Sequence, residues 1–343
     1  MIRLLLGDCA QVLPTLQANA YDSLITDPPA SISFMGQAWD SDRGGRREWC
    51  AWLTGIMREA LRVLKPGAHG LVWAIPRRSH WTGQALEDAG LEIRDCVHTY
   101  FLSGFPKSLN VEKAITAKVT PTDLVADAKE WEGWGTALKP AIDHWWLVRK
   151  PLGENTVAEN VLKWGTGALN IDASRIPVLK PKNNGYDTIS YFTDWEYGGW
   201  KKSYANKTPV PEGNTTPPGY FNKGRRGKPR AADSHPDSRY PSHFIVCDWE
   251  LLEDHTGFFH PPIYSPKARR CRGEGNHHPT VKPVELMKYF ITLLTRPSGH
   301  VLDCFAASFT TGVAAQQLGF RFTGIESDPA YVKIGISRLG GAA

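Results

Sequence analysis

The tetrapeptide Asp27-Pro28-Pro29-Ala30 follows directly on the apolar run Ser23-Leu24-Ile25-Thr26. Consecutive prolines fix two φ angles and remove two amide donors, so the carbonyls of Asp27 and Pro28 are held stiffly. With the Asp27 carboxylate beside them, this turn is equipped to accept hydrogens from an exocyclic amine. A strand simply closed by a Pro-Pro turn, with no chemical role, is the plainer reading of the same residues. A second arrangement lies near the other end of the chain. Asp303 closes the apolar pair Val301-Leu302, a loop of small residues opens a helix over about 310–318, and Glu326 closes the next apolar run, 321–325. An acid at each of two successive strand ends, with a loop between them, is the logic of a nucleoside-binding βαβ unit whose second carboxylate accepts from ribose hydroxyls.

Such groups need a rigid frame, and the chain is long enough to build one. Its 343 residues are 41% hydrophobic and 22% charged, a globular composition with more material than one core of about 150 residues requires. No apolar stretch approaches the roughly 18 residues of a membrane span, and Asp8 interrupts the N-terminal run before a signal sequence forms, so the expected location is cytoplasmic. Six scattered cysteines without a C-x-x-C pair read as reduced thiols, and neither they nor His80, His144, His243 and His260 show zinc spacing, so no metal is assigned.

Apolar runs and helical periodicities alternate. Residues 2–7 and 23–26 read as strands around a helical stretch at Val12, Leu13 and Leu16. Trp49, Trp52, Leu53, Ile56, Met57, Leu61 and Leu64 mark a helix over 48–64 that Lys65-Pro66-Gly67 ends before a strand at 70–75. A further cycle covers 81–89, 91–94 and 97–102, and another apolar segment spans 144–148. Helix 284–295, strand 301–302, helix 310–318, strand 321–325 and helix 331–339 complete the series. This predicts an α/β architecture with a doubly wound, mostly parallel sheet. Trp131, Trp134, Trp145 and Trp146 are expected to pack that sheet against its helices.

Between these halves, from about residue 153, the pattern dissolves into an irregular insert. Residues 175–240 hold twelve Lys and Arg against six Asp and Glu, which accounts for the excess of a chain whose net charge is +5. Tyr186, Tyr191, Phe192, Trp195, Tyr197, Trp200, Tyr204, Tyr220 and Phe221 are interleaved with those charges. Basic groups pair with phosphates and planar rings stack on bases, although a solvated loop anchored by its aromatics has the same composition.

Asp27-Pro28-Pro29, His278-Pro279-Thr280-Val281-Lys282-Pro283 and the run Asp303-Cys304-Phe305-Ala306-Ala307-Ser308-Phe309-Thr310-Thr311-Gly312 together resemble the motifs of amino-group DNA methyltransferases. Their order, catalytic motif first and cofactor loop last, is that of the circularly permuted β class. The resemblance implies a Rossmann-like S-adenosylmethionine-dependent methyltransferase fold in three parts. Residues 1–152 form the catalytic half, 153–260 the target recognition insert and 261–343 the cofactor-binding half. It implies a site-specific enzyme that flips a base out of double-stranded DNA and methylates its amine, adenine N6 rather than cytosine N4. By resemblance Asp27, Pro28 and Pro29 are catalytic. Asp303, Phe305, Ser308, Thr310 and Thr311 line the methionine side of the cofactor, Lys282 lies near its carboxylate, Glu326 holds the ribose and Asp8 approaches the adenine ring. Arg225, Arg226, Lys228 and Arg230 of the insert are assigned to DNA, and the particle to a monomer or homodimer.

The chain departs from the family pattern in ways that carry expectations. Ala30 stands where the family has tyrosine, so Phe34 or Trp39 is expected to supply the ring that stacks on the base. Cys304 replaces a proline. Ala307 and Phe309 replace loop glycines, where a β-carbon in the left-handed region costs roughly 1–2 kcal/mol and a benzyl group can occupy cofactor space. From these substitutions follows the alternative expectation, a homologue that binds DNA without the cofactor.

Overall fold

Tyr21–Thr26 is buried at all six positions, as a strand covered by helices on both faces must be. The computed structural model describes residues 1–101, 108–118, 128–177, 238–239, 243–246 and 275–340. In chain order the strands are β1 (Ile2–Leu6), β2 (Tyr21–Thr26), β3 (Leu64–Ala74), β4 (Glu92–Tyr100), β5 (Ile142–Arg149), β6 (Ile176–Pro177), β7 (Ser238–Arg239), β8 (Phe244–Val246), β9 (His300–Asp303) and β10 (Arg321–Glu326). The helices are α1 (Cys9–Val12), α2 (Arg46–Val63), α3 (Ser79–Asp88), α4 (Val111–Lys118), α5 (Val157–Trp164), α6 (Val284–Leu294), α7 (Thr310–Gln317) and α8 (Pro329–Arg338).

Eight strands form one sheet in the order β1-β10-β9-β2-β3-β5-β4-β8, with β6 and β7 pairing separately. All neighbours in the large sheet are parallel except β5, which runs antiparallel to both β3 and β4. The mostly parallel, doubly wound α/β fold expected from the alternation is therefore present. One face is covered by α2 and α3 through Trp49, Leu53, Ile56, Met57 and Leu86, which pack on Leu24, Val72 and Val148. The other is covered by α6 and α7, with Met287, Phe290, Ile291 and Val313 packing on Ile25, Leu71, Val301 and Phe322. Trp145 meets Phe290 edge-on in that layer, with ring centroids 5.0 Å apart.

Three local expectations are corrected. Strand β3 starts at Leu64 and runs through Lys65-Pro66-Gly67, because the Pro66 carbonyl and the Gly67 amide both find partners there: Asn160 Nδ2 donates to the former at 2.9 Å and the latter donates to the Lys150 carbonyl at 3.1 Å. Trp131 and Trp134 do not pack the sheet; they are 43% and 60% exposed and lie edge to face against each other. The pattern lost at 153 hides helix α5, whose Thr156 and Glu159 form a reciprocal capping box and which ends at the left-handed Gly165.

Parallel pairing brings strand ends to one edge. Leu6 stands beside Glu326, Gly324 beside Asp303, Leu24 beside Leu302 and Thr26 beside Val72. In open α/β sheets this carboxyl edge is where ligands bind.

Candidate active site

At the centre of that edge the tips of β2 and β9 are tied through side chains. Thr26 Oγ1 donates to Asp303 Oδ1 at 2.8 Å, and Thr311 Oγ1, from the start of α7, donates to Oδ2 at 2.8 Å. The Thr26 oxygen in turn accepts from the amides of Cys304 and Phe305 at 3.1 and 3.2 Å. Asp303 is 4% exposed, and burial pushes its carboxyl up to about 7 against the pull of these hydrogen bonds.

Asp27 follows immediately on Thr26. Its Oδ2 pairs with Lys282 Nζ at 2.8 Å, and the ammonium group lies 4.2 Å over the Trp73 ring. Burial raises the Asp27 carboxyl above the ordinary range, and the neighbouring Lys282 charge opposes that shift. The structure thus places Lys282 on the carboxylate of the Asp-Pro-Pro turn. A narrow cleft runs between the two strand tips, bordered by Asp27, Lys282, Asp303, Phe305, Ser308, Thr310 and Thr311 together with Trp145 and His278.

The segment after Pro29 is shaped by a residue that sequence reading missed. The fully buried Asp40 carboxylate accepts from the amides of Ser31, Ile32 and Phe34 at 2.8, 3.2 and 2.8 Å. Three amides converging on one carboxylate stabilise the left-handed backbone of Ser31 and Ser33 (φ 58° and 50°). Asp40 stands at the end of the short segment Ala38-Trp39-Asp40, and its only sequence signal is the first acid after Asp27 in the loop that leads to α2. Ala30 is half-buried, and neither Phe34 nor Trp39 borders the cleft. Trp39 stacks on His278 instead, with centroids 6.4 Å apart and planes inclined by 23°. The aromatic planes at the cleft are Phe305 and Trp145.

Ala307 and Phe309 adopt the left-handed conformation that glycine favours, with φ of 49° and 60°. The strain is met by packing. Phe309 is fully buried with its ring turned away from the cleft, edge-on to Phe322 and between two glycines. A β-carbon at Gly324 would come within 2.8 Å of the ring, and one at Gly335 would overlap it. The benzyl group therefore fills a slot beneath the loop, between β10 and α8, and leaves the cleft open. Glu326 Oε2 accepts from the Ala307 amide at 2.9 Å and its Oε1 from the Asp328 amide at 2.8 Å, while burial raises its carboxyl above the usual value.

The hydroxyls of Ser308 and Thr310 face inward. Arg338 Nη1, from the last turn of α8, donates to the Ser308 carbonyl at 2.6 Å and to Thr310 Oγ1 at 2.9 Å, and Asn276 Nδ2 donates to Ser308 Oγ at 3.2 Å. Neither Arg338 nor Asn276 carries a sequence signal, since each finds the loop only through tertiary folding. Asp8 stands at the end of β1 beside β10 and caps α1 by accepting from the Ala10 amide at 2.9 Å; it does not border the cleft. Arg225, Arg226, Lys228 and Arg230, with most of the expected insert, lie outside the described residues. Among the described residues, no helix is long and apolar enough to cross a membrane.

The sheet order, the joined strand tips and the loop over them are features of a methyltransferase-type fold. A family model described as DNA methylase matches residues 21–337, and the chain belongs to that family. The DNA adenine methyltransferase YhdJ of Escherichia coli (strain K12) is 45% identical over 74 residues, which are 22% of this chain and 25% of YhdJ, so the match spans about a quarter of that relative. The type II methyltransferase M.HindIII of Haemophilus influenzae is 22% identical over 303 residues, covering 88% of this chain and 72% of that protein. Among solved structures, the cytosine-N4-specific PvuII DNA methyltransferase aligns over 100% of this chain and 88% of its own, with a TM-score of 0.52 at 14% identity, a likeness of fold.

Proposed function

We propose that this chain is an S-adenosylmethionine-dependent DNA methyltransferase that acts on an exocyclic base amine, adenine N6 in preference to cytosine N4. The observation that carries the reading is the Thr26 to Asp303 hydrogen bond, which sets the amine-gripping turn beside the loop that would hold the cofactor. The residues at the cleft suit such a ligand: the Phe309 ring is packed behind the loop, the buried Asp303 carboxylate borders the cleft as a partner for positive charge, and the half-buried Glu326, which accepts from the Ala307 amide of the same loop, is a partner for vicinal hydroxyls. The alternative of a cofactor-deficient homologue rests on Ala30, Ala307 and Phe309, and the packing of the Phe309 ring behind the loop removes one of those grounds. Support for adenine comes from the Asp that opens the Pro-Pro turn and from the activity named for YhdJ.

When bound, the cofactor supplies an electrophilic methyl group on a sulfonium centre. The chain's own share is positioning and electrostatics. Asp303, Phe305, Ser308, Thr310, Thr311 and Lys282 would line the methionine portion of the cofactor, and Glu326 would hold its ribose. Asp27 and the Pro28 carbonyl accept the two amine hydrogens, which draws the nitrogen lone pair out of conjugation and toward the methyl group. Lys282 opposes the rise that burial imposes on the Asp27 carboxyl, and the Asp27 carboxylate, once ionised, is placed to take the proton the amine gives up after transfer. Phe305, the half-buried aromatic ring at the cleft, is the candidate to flank the base, the role expected of Phe34 or Trp39. The insert, with Arg225, Arg226, Lys228 and Arg230, contacts the DNA backbone.

Two measurements test this. Calorimetric titration with S-adenosylmethionine should give saturable one-site binding, and DNA incubated with protein and cofactor should yield N6-methyladenine on nucleoside mass analysis. N4-methylcytosine alone would overturn the adenine preference, and neither product, with no binding heat, would overturn the transferase reading.

A further inference from the structure

The face of the sheet covered by α3 carries a group of side chains that this chemistry does not use. Cys96 and His98 are two residues apart on β4 and so project to the same face. Antiparallel pairing sets His98 directly opposite His144 on β5, and the thiol and the two imidazoles converge until their donor atoms all lie within 4.8 Å of one another. The two rings are 4.4 Å apart at their centroids.

Two details point to a ligand. Among the described residues, His98 Nδ1 is buried without a hydrogen-bond partner, an uncommon state for a polar atom in a folded interior. His144 Nδ1 is engaged at 2.8 Å with Ser79 Oγ at the start of α3, which fixes the ring and leaves Nε2 free to coordinate. A metal-ligating histidine is characteristically oriented by such a partner on its other nitrogen.

We propose that Cys96, His98 and His144 bind one zinc ion, with solvent in the fourth position. One sulfur and two imidazole donors suit a borderline-soft divalent cation rather than magnesium or calcium. With Zn–S of about 2.3 Å and Zn–N of about 2.0–2.1 Å, tetrahedral donors sit roughly 3.3–3.8 Å apart, so the site closes by small side-chain rotations on a fixed backbone. The Cys96 thiol gives its proton to solvent on binding. No linear spacing announces the site, because strand register, not sequence proximity, brings His144 to the other two. The location gives it a structural task. Trp145, the next residue on β5, borders the active cleft from the opposite face, and β4 carries β8 on its other edge. The ion clamps β4 to β5 where the sheet presents a cleft wall and receives the strand that returns from the insert.

The test is metal analysis of the full chain dialysed with added Zn2+, together with Co2+ substitution. One equivalent of zinc per chain is expected. The cobalt form should show thiolate-to-cobalt charge transfer in the near ultraviolet and the intense visible bands of tetrahedral cobalt. Both should disappear in Cys96→Ser and His144→Gln and persist in Cys50→Ser. Ser79→Ala should keep the stoichiometry but weaken zinc binding about 10–100-fold. If Cys96→Ser does not fold, the spectrum of His144→Gln and the metal content of wild type decide. Substoichiometric zinc in wild type, or a thiolate band that survives loss of Cys96 or His144, would overturn the proposal.

Discussion

Thr26, the last residue of β2, donates its hydroxyl proton across 2.8 Å to Asp303, the last residue of β9. The same oxygen accepts from two loop amides, so a single hydroxyl sets the register of the turn against the loop. Thr26→Val keeps the shape and removes the group. The expected loss is about 2–3 kcal/mol, because a buried carboxyl group loses a donor and the Cys304 amide loses its acceptor while the Phe305 amide keeps Asp303 Oδ1, with a weaker response to S-adenosylmethionine. Chemical denaturation and calorimetry measure both; an unchanged variant would show that the tie is incidental.

Asp303 also predicts a pH dependence. Its folded-state value of about 7 lies above the ordinary 3.8, so the native state holds a proton that the unfolded chain has lost. Stability relative to Asp303→Asn should therefore fall as pH rises from about 4 to about 7 and level off beyond. A cationic ligand favours the ionised form, so cofactor affinity should weaken as pH drops below about 7, approaching tenfold per unit, with proton release on binding. Titrations in buffers of different ionisation enthalpy detect that proton.

Asp27→Ala is expected to abolish methyl transfer while leaving DNA affinity nearly intact, since the residue faces the amine and not the phosphate backbone. Lys282→Met removes the charge that counters burial at Asp27 and should shift the acid limb of the rate profile toward higher pH. Single-turnover methylation and filter binding separate chemistry from affinity. Equal losses in both would assign Asp27 to DNA holding.

The slot that receives Phe309 makes an opposite prediction from one based on sequence alone. Replacing Phe309 by glycine relieves a left-handed residue by roughly 1–2 kcal/mol but empties a buried ring site, which costs about 3–5 kcal/mol. The net result is destabilisation. Gly335→Ala should be worse tolerated, because its new methyl group overlaps the ring, and Phe309→Ala in the same chain should restore much of the loss. Additive effects in this double-mutant cycle would mean that the two positions are uncoupled.

Removal of Arg225, Arg226, Lys228 and Arg230 together should weaken DNA binding and flatten its salt dependence by about 0.9 per lost phosphate contact. Affinity measured across a salt series gives the slope directly; an unchanged slope would place the DNA-binding surface elsewhere.

The period of apolar residues was enough to locate most strands and helices, and the acids that close strands at Asp27, Asp303 and Glu326 marked the working edge. What sequence did not disclose depends on partners brought in from afar. Nothing in Ile142–Arg149 signals that β5 runs against its neighbours, since an apolar run such as Trp145–Val148 suits a strand of either direction. Lys282 meets Asp27, and Arg338 meets Ser308, only after the sheet has formed. Phe309 reads as an obstruction until Gly324 and Gly335, on two other elements, are seen to vacate its place. Helix α5, by contrast, was legible: Thr156 and Glu159 at capping-box spacing, with Gly165 after the last turn, stood in a stretch set aside as irregular.

A glycine-rich loop is supple before its ligand arrives and must surrender that suppleness on binding. Here Ala307 and Phe309 hold a conformation that their β-carbons disfavour, and a phenyl ring wedged from behind keeps the loop in it. The ordering cost is met during folding, so little of it remains for the encounter with the ligand. The affinity of this loop should thus owe more to readiness than to the number of contacts it makes.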